Sequence, residues 1–263
     1  MPGAGDGLKV RRRGAKLPSP RPVRKMPPAD LDTQVIRSCA SMPWHQHDAG
    51  YAAIVLAGRY VEAGDGGRRR VSAGDVIVHR PFSAHADWFE SVGATVVNIA
   101  LTHGAALRLA TGRVADPEAL ARDILADRDA AERLLRTAIV RVDGENDAPD
   151  RLAAGLDHDP GLTLGDWAAR TGTAPRTLRR QFDQAYGISP LLYRTRSRAL
   201  QAWKLIVTTE RPFAGIAYDL GFADQAHMSR AVRWLSGRPP RAWRGGMAAR
   251  FKTAIPRPPD KGA

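Results

Sequence analysis

Three arginines, Arg176, Arg179 and Arg180, stand at positions i, i+3 and i+4 of a segment that reads as a helix opened by Pro175. That spacing gathers their guanidinium groups on one helix face, opposite Leu178 and Phe182, which are four apart and turn inward. A guanidinium fork matches the two major-groove acceptors of guanine, so this face suits base readout in duplex DNA; plain solvated charge is the other use of the same residues. A second group is imidazole-based. Five of the seven histidines lie between residues 45 and 103. His45-Gln46-His47 puts two rings on one face of an extended strand, and His85 follows Pro81 at the end of another. Together His45, His47 and His85 form a chemically sound set for zinc or iron, or hydrogen-bonded walls that hold no metal. Trp44, Tyr51, His79 and Trp88 suit the lining of a pocket for a planar or apolar small molecule, and equally an aromatic core.

The elements that position the arginines are built twice. Gly187, Pro190, Tyr193 and Arg194 recur fifty residues on as Gly237, Pro240, Trp243 and Arg244. Leu178, Arg180 and Phe182 recur at the same offset as Met228, Arg230 and Val232, while Ala168 and Gly172 return as Ala217 and Gly221, 49 residues on. Each copy is a short helix, a glycine turn, a second helix and a Gly–Pro exit. The first copy starts with a helix over Leu164–Thr171, its apolar side made by Leu164, Trp167 and Ala168. The second has Ile216–Leu220, Gly221, and a helix from the N-cap Asp224 to about Trp234. Met228, Val232 and Leu235 form its apolar stripe; Gln225, Ser229 and Arg230 face outward beside His227. Between the copies, Pro190–Val207 reads as one helix with an apolar line through Leu192, Ala199, Trp203 and Ile206. Eighteen residues span roughly 27 Å, against about 34 Å between successive major-groove faces of a duplex. A rod of that length presents both second helices to one DNA site.

Charge follows the same division. The chain carries +13 over 263 residues, with +6 in residues 1–30, −5 in 31–159, +10 in 160–250 and +2 in the last thirteen. Only the C-terminal third is therefore expected to meet a polyanion. No run approaches eighteen apolar residues, which argues against a membrane partner. The lone Cys39 excludes an internal disulfide and a cysteine-based zinc finger. The arginines of the N-terminus precede no apolar segment, and with Pro18, Pro20, Pro22, Pro27 and Pro28 they read as a disordered basic arm of a cytoplasmic protein. From Thr33 to Leu101 short β-branched segments alternate with turns: Ala52–Leu56, Arg59–Glu62, Arg69–Val71, Val76–His79 and Thr95–Ala100 read as strands, with Gly58, Gly64–Gly67, Gly74-Asp75 and Pro81 between them. From Gly104 to about Ala154 the pattern is helical, with Asp116-Pro117-Glu118 as a helix start. Gly144–Pro149 and Leu156–Gly161 read as linker.

Leu164–Phe182 with Gly187-Ile188-Ser189-Pro190, then Ile216–Phe222 through Gly237 and Pro240-Arg241-Ala242-Trp243-Arg244, resembles the DNA-binding domain of AraC/XylS-type transcription regulators over roughly residues 152–250. The resemblance implies base contacts from Arg176, Arg179 and Arg180 in the first unit and from Gln225, Ala226, Ser229 and Arg230 in the second. Ala226 offers only a methyl group, and Met228 and Val232 stand where the family has aromatic core residues, so the first unit is expected to carry more of the readout. The histidine-bearing region resembles the cupin barrel that precedes this domain in many members. Metal-binding cupins place a glutamate soon after the His-x-His pair; Asp48–Val55 has none, and Glu62 comes too late for that slot.

The sequence thus predicts an α+β protein: a disordered arm (1–30), an antiparallel β-barrel, cupin-like sensor (31–103), a helical connector and dimerisation element (104–151), an all-α double helix-turn-helix domain (152–250) and a disordered tail (251–263). The expected function is a sequence-specific transcription regulator, an activator rather than an enzyme. It would need no cofactor, and its partners would be double-stranded operator DNA, a small-molecule effector, a second copy of the chain and RNA polymerase. Two other readings of the same residues are a metal-dependent cupin enzyme targeted to DNA and a constitutive architectural DNA-binder.

Overall fold

The computed structural model describes the backbone of residues 24–26 and residues 33–140 and 147–244 in full. The tail expected at 251–263, and the expected arm apart from residues 24–26, lie outside the described residues. Within that arm Arg24–Met26 forms a strand, β1, paired in parallel with His45–His47.

The N-terminal half is an eight-stranded sheet, antiparallel apart from that pairing. After β1 come β2 (Thr33–Ile36), β3 (Ser41–His47), β4 (Gly50–Gly64), β5 (Gly67–Ser72), β6 (Asp75–His79), β7 (Ala84–Leu101) and β8 (Gly112–Arg113). The path runs β1-β3-β7-β4-β6-β8, with β2 added to β7 and β5 to β4. No pairing among the described residues joins its ends. The segments read as separate strands around Gly58 are one strand of fifteen residues. Register shifts on both sides of Gly58 mark bulges, and its φ of +81° with the Gly93 carbonyl lying against it leaves no room for a Cβ. A glycine bends the strand here rather than ending it.

Period-two alternation sorts β4 and β7 between two cores. Ala52, Ile54, Val97 and Ile99 pack outward against α1 (His103–Arg108), α2 (Pro117–Ala126) and α3 (Ala131–Ala138). Tyr51, Ala53, Val55 and Val96 turn to the inner face with Tyr60 and Phe89. The predicted start of α2 is present, with Asp116 capping the Ala119 amide and Pro117 as first helical residue.

The C-terminal half is helical: α4 (Ala148–His158), α5 (Leu164–Thr171), α6 (Pro175–Tyr186), α7 (Pro190–Thr208), α8 (Phe213–Asp219) and α9 (Gln225–Ser236). α4 crosses the boundary expected at residue 152 and takes in the end of one segment read as linker (Ala148-Pro149) and the start of the other (Leu156–His158). Its capping box between Asp147 and Asp150 starts it early, and Leu152, Ala153 and Leu156 hold it in the core of α6 and α7. Gly172 and Gly221 end α5 and α8 at φ of +64° and +66°, as their place in the repeat required. No helix among the described residues is long and apolar enough to cross a membrane.

The two halves share their cores. Ala63 of β4 packs with Phe182, Tyr186 and Tyr193, and Phe82 packs with Trp203, Met228 and Trp243. Between these contacts lies a buried ion pair. Arg196 of α7 and Asp65 of the β4–β5 turn have side chains only 1% exposed. Arg196 Nη2 donates to Asp65 Oδ2 at 2.8 Å, to the Phe82 carbonyl at 3.1 Å and to Gln46 Oε1 at 3.3 Å, while Nε reaches Asp65 Oδ1 at 3.0 Å. Asp65 also accepts from the Ala84 amide. Such a pair is well solvated by protein, and removing one partner strands the other charge. Asp65→Ala is therefore expected to cost about 3–5 kcal/mol of stability, measured by urea denaturation. Asp65→Ala with Arg196→Met should cost less than Asp65→Ala alone; a larger loss in the double variant would contradict this account.

Candidate nucleic-acid interface and the sheet interior

α6 is fixed by Leu178, Phe182 and Tyr186, buried at i, i+4 and i+8. Its other face carries Arg176, Arg179 and Arg180, all exposed. Arg179 Nε lies 3.6 Å from Asp183 Oδ2 one turn on; Arg176 and Arg180 have no ion pair among the described residues. α9 is fixed by Met228, Val232 and Leu235, all buried, and begins where Asp224 accepts from the His227 amide at 2.6 Å. Gln225, Ala226 and Arg230 are exposed. Ser229 is half-buried and its hydroxyl donates to the Gln225 carbonyl at 2.8 Å, so it faces a partner as an acceptor.

α7 connects the two pairs and runs nineteen residues, about 28 Å. Ser189 caps it. Tyr193 packs with the first pair and Ala199, Trp203 and Ile206 with the second; Arg196 and Ser197 meet the remaining structure. Sequence reasoning missed Arg196, although the signal was there: a cation midway along the apolar spacing of Tyr193, Ala199 and Trp203.

Inside the sheet the strand register assembles a polar cluster. His45 stands opposite His85, His85 opposite Gly64, Asp87 opposite Glu62, and Tyr51 opposite His79. Directly paired residues share a face, so four imidazoles and two carboxylates converge, each 4–6% exposed. Ring centroids of His45 and His85 are 4.2 Å apart, and those of His79 and His85 4.3 Å. The Tyr51 hydroxyl lies 3.3 Å from His47 Nε2 and 3.5 Å from His85 Nε2. Burial holds His79 and His85 well below the ordinary histidine range and lifts Glu62 and Asp87 above the ordinary carboxylate range.

The expected set His45, His47 and His85 is brought together, its donor atoms within 4.8 Å of one another. Glu62, set aside on sequence spacing, belongs to the cluster after all. It arrives from the far end of β4 through pairing with β7, and Glu62, His79 and His85 form a second group of the same kind. Asp87 and Arg69 were not foreseen either; Arg69 Nε lies 3.6 Å from Glu62 Oε1.

A cavity of about 240 Å³ opens beside this cluster, with Glu62, His79 and His85 on one wall and Ser197, Gln201 and Lys204 of α7 on the other. Of the residues read as a pocket lining, His79 and His85 line this cavity; Trp44, His45, His47, Tyr51 and Trp88 do not. The Trp44 indole N–H donates to the Tyr186 carbonyl at the end of α6, and its ring lies 5.9 Å from the Arg196 guanidinium. Trp88 is 36% exposed, and its ring also borders Gly187. Past the register shift between Met42 and His45, His45 and His47 turn inward on β3 while Trp44 and Gln46 turn outward, and Gln46 Nε2 donates to the Leu235 carbonyl of α9 at 3.1 Å.

Residues 167–246 match the family described as "Helix-turn-helix domain". Over 92 residues, 34% of this chain and 32% of the relative, the chain is 34% identical to the arabinose operon regulatory protein of Escherichia coli (strain K12). It is 37% identical over 82 residues to the HTH-type transcriptional activator RhaS of Escherichia fergusonii, covering 31% of this chain and 30% of that one. The chain spans about a third of the length of these curated relatives. Among solved structures, the DNA-binding domain of AdpA, crystallised with a target DNA, aligns over 41% of this chain and 100% of its own at 27% identity and a TM-score of 0.38.

Trp44→Phe keeps an aromatic ring, though a smaller one, and removes the N–H. Its expected cost is about 0.5–1.5 kcal/mol, read from chemical denaturation; no change would remove Trp44 from the contact that joins the sheet to α6.

Proposed function

We propose, from a C-terminal third that carries the helix-turn-helix domain of AraC/XylS-type regulators, that this chain binds duplex DNA in a sequence-specific way and regulates transcription as an activator. The observation that carries the reading is the pair of exposed polar helix faces on α6 and α9, held on the two ends of one rigid helix. In this reading residues 148–244 are a double helix-turn-helix domain. Arg176, Arg179 and Arg180 read bases in one major groove, and Gln225, Ala226, Ser229 and Arg230 meet the next. Three arginines on the first face, against the reduced offer of Ala226 and Ser229 on the second, support a larger share of the readout for α6.

The sheet of residues 33–101, with a cavity beside its inner polar cluster, is the cupin-like sensor in this reading, and α1 to α3 are its connector. A second copy of the chain and RNA polymerase are further partners in this reading. An effector in the cavity would touch Glu62 and His79 on one side and Gln201 and Lys204 of α7 on the other. It alters DNA binding only through different affinity for the two arrangements of the halves.

Arg176→Ala and Arg180→Ala are each expected to weaken binding to an operator selected from genomic fragments by about 1–3 kcal/mol, measured by gel-shift titration, with smaller loss on random competitor. Equal loss on both would make these arginines phosphate contacts. Affinity should also fall steeply with salt, because neutralised phosphates release counterions; a flat response would remove the basic third as the contact surface.

A further inference from the structure

The polar cluster inside the sheet contains more polar atoms than its own hydrogen bonds use. His85 Nδ1 and Asp87 Oδ1 are buried without a hydrogen-bond partner among the described residues, although both residues are 5% exposed. Buried polar atoms are nearly always satisfied, and an orphan pair in one cluster asks for a missing partner. Its chemistry is set by the neighbours. Glu62 turns Oε1 toward Arg69 and Oε2 toward His79, with Oε2 3.4 Å from His79 Nε2. Glu62, His79 and His85 offer one donor atom each within 4.8 Å of one another. Ligands of a tetrahedral ion with bonds of 2.0–2.2 Å stand about 3.4 Å apart, a spacing that small side-chain rotations reach from here.

We propose that Glu62, His79 and His85 bind a divalent first-row transition-metal ion at the mouth of the cavity that faces α7. Two imidazoles and a carboxylate suit zinc or ferrous iron and leave further coordination positions open. This group is favoured over His45, His47 and His85 for two reasons. It includes an anionic ligand, which offsets the charge of a buried cation. It also lines the cavity, which supplies an entry path and room for water or a small ligand on the ion; His45 and His47 do not line it. His45 Nδ1 is engaged by the Pro43 carbonyl at 3.0 Å and His47 Nε2 by the Tyr51 hydroxyl. Asp87 Oδ2, 3.6 Å from His85 Nε2, is placed to orient that ring, as carboxylates commonly do beside metal-bound histidines. The proposal gives the sensor its ligand class, and rests on the sensor reading for its effect at an operator.

The test uses the untagged full-length chain without DNA, stripped with chelator and titrated with Co²⁺ while its visible absorption is followed, then challenged with Zn²⁺. One equivalent of Co²⁺ with ligand-field bands, displaced by Zn²⁺, is the expected result. Glu62→Gln, which preserves shape, and His79→Ala should each weaken Co²⁺ binding roughly tenfold or more, with circular dichroism checking that both variants fold. Binding below a tenth of an equivalent would overturn the proposal. So would unchanged affinity in Glu62→Gln with loss confined to His45→Ala or His47→Ala, which would move the ion to the other group. Because this readout contains no DNA, its failure leaves the proposed DNA binding standing, and loss of DNA binding leaves the metal result intact.

Discussion

The Asp65–Arg196 pair is the constraint on which the arrangement of the molecule rests. Desolvating both charges is costly, and their attraction repays it only with good geometry and every remaining donor or acceptor satisfied. Here the guanidinium meets two carboxylate oxygens, a glutamine oxygen and a backbone carbonyl, and the carboxylate takes one further backbone amide. An apolar patch would tolerate sliding; this set of directed bonds does not. It fixes the β4–β5 turn against one position of α7. Phe82, whose carbonyl joins the set, holds a φ of +63°, a conformation uncommon in a bulky side chain. Its ring is clamped by Trp203 and Trp243 at 5.2 and 5.3 Å, and its amide donates to His47, so the contacts of both halves hold the strained residue in place.

α7 acquires three tasks from that constraint. It spaces α6 from α9, it completes the core of each helix pair, and it forms a wall of the cavity whose other wall is the histidine cluster. A change at the cluster therefore reaches the helix between the two candidate reading faces through direct contact. Trp44 and Gln46, on the outward side of β3, tie the same strand to the ends of α6 and α9, while His45 and His47 between and beside them turn inward. One strand, by alternation, carries donors to the cluster and anchors to both helix pairs.

Much of the helical half was legible in the sequence. The repeat gave α5, α6, α8 and α9, their glycine turns and their buried faces, because local spacing at 3.6 residues decides which side chains share a face and glycine alone takes positive φ cheaply. α7 was read within a residue, and Asp116, Asp224 and Pro175 marked helix starts. The sheet was less legible. β4, β5, β6 and the end of β7 were recognised, whereas β1, β2, β8 and the start of β7 were not; Gly58 read as a turn, since a glycine that bends a strand and one that ends it leave the same local trace. α4 was divided because acidic and turn-forming residues precede its core positions.

By itself, then, the sequence determined the doubled helix pairs, the outward arginines and the inward alternation of His45 and His47, all consequences of short-range periodicity. Only the tertiary structure decided that Glu62, His79 and Asp87 join His85, that Asp65 and Arg196 meet across 131 residues, and that Trp44 anchors a helix instead of lining a pocket. Those outcomes depend on which strand lies beside which and in what register. Pairing of that kind is settled by the packing of the whole chain, and spacing along it carries no record of the choice.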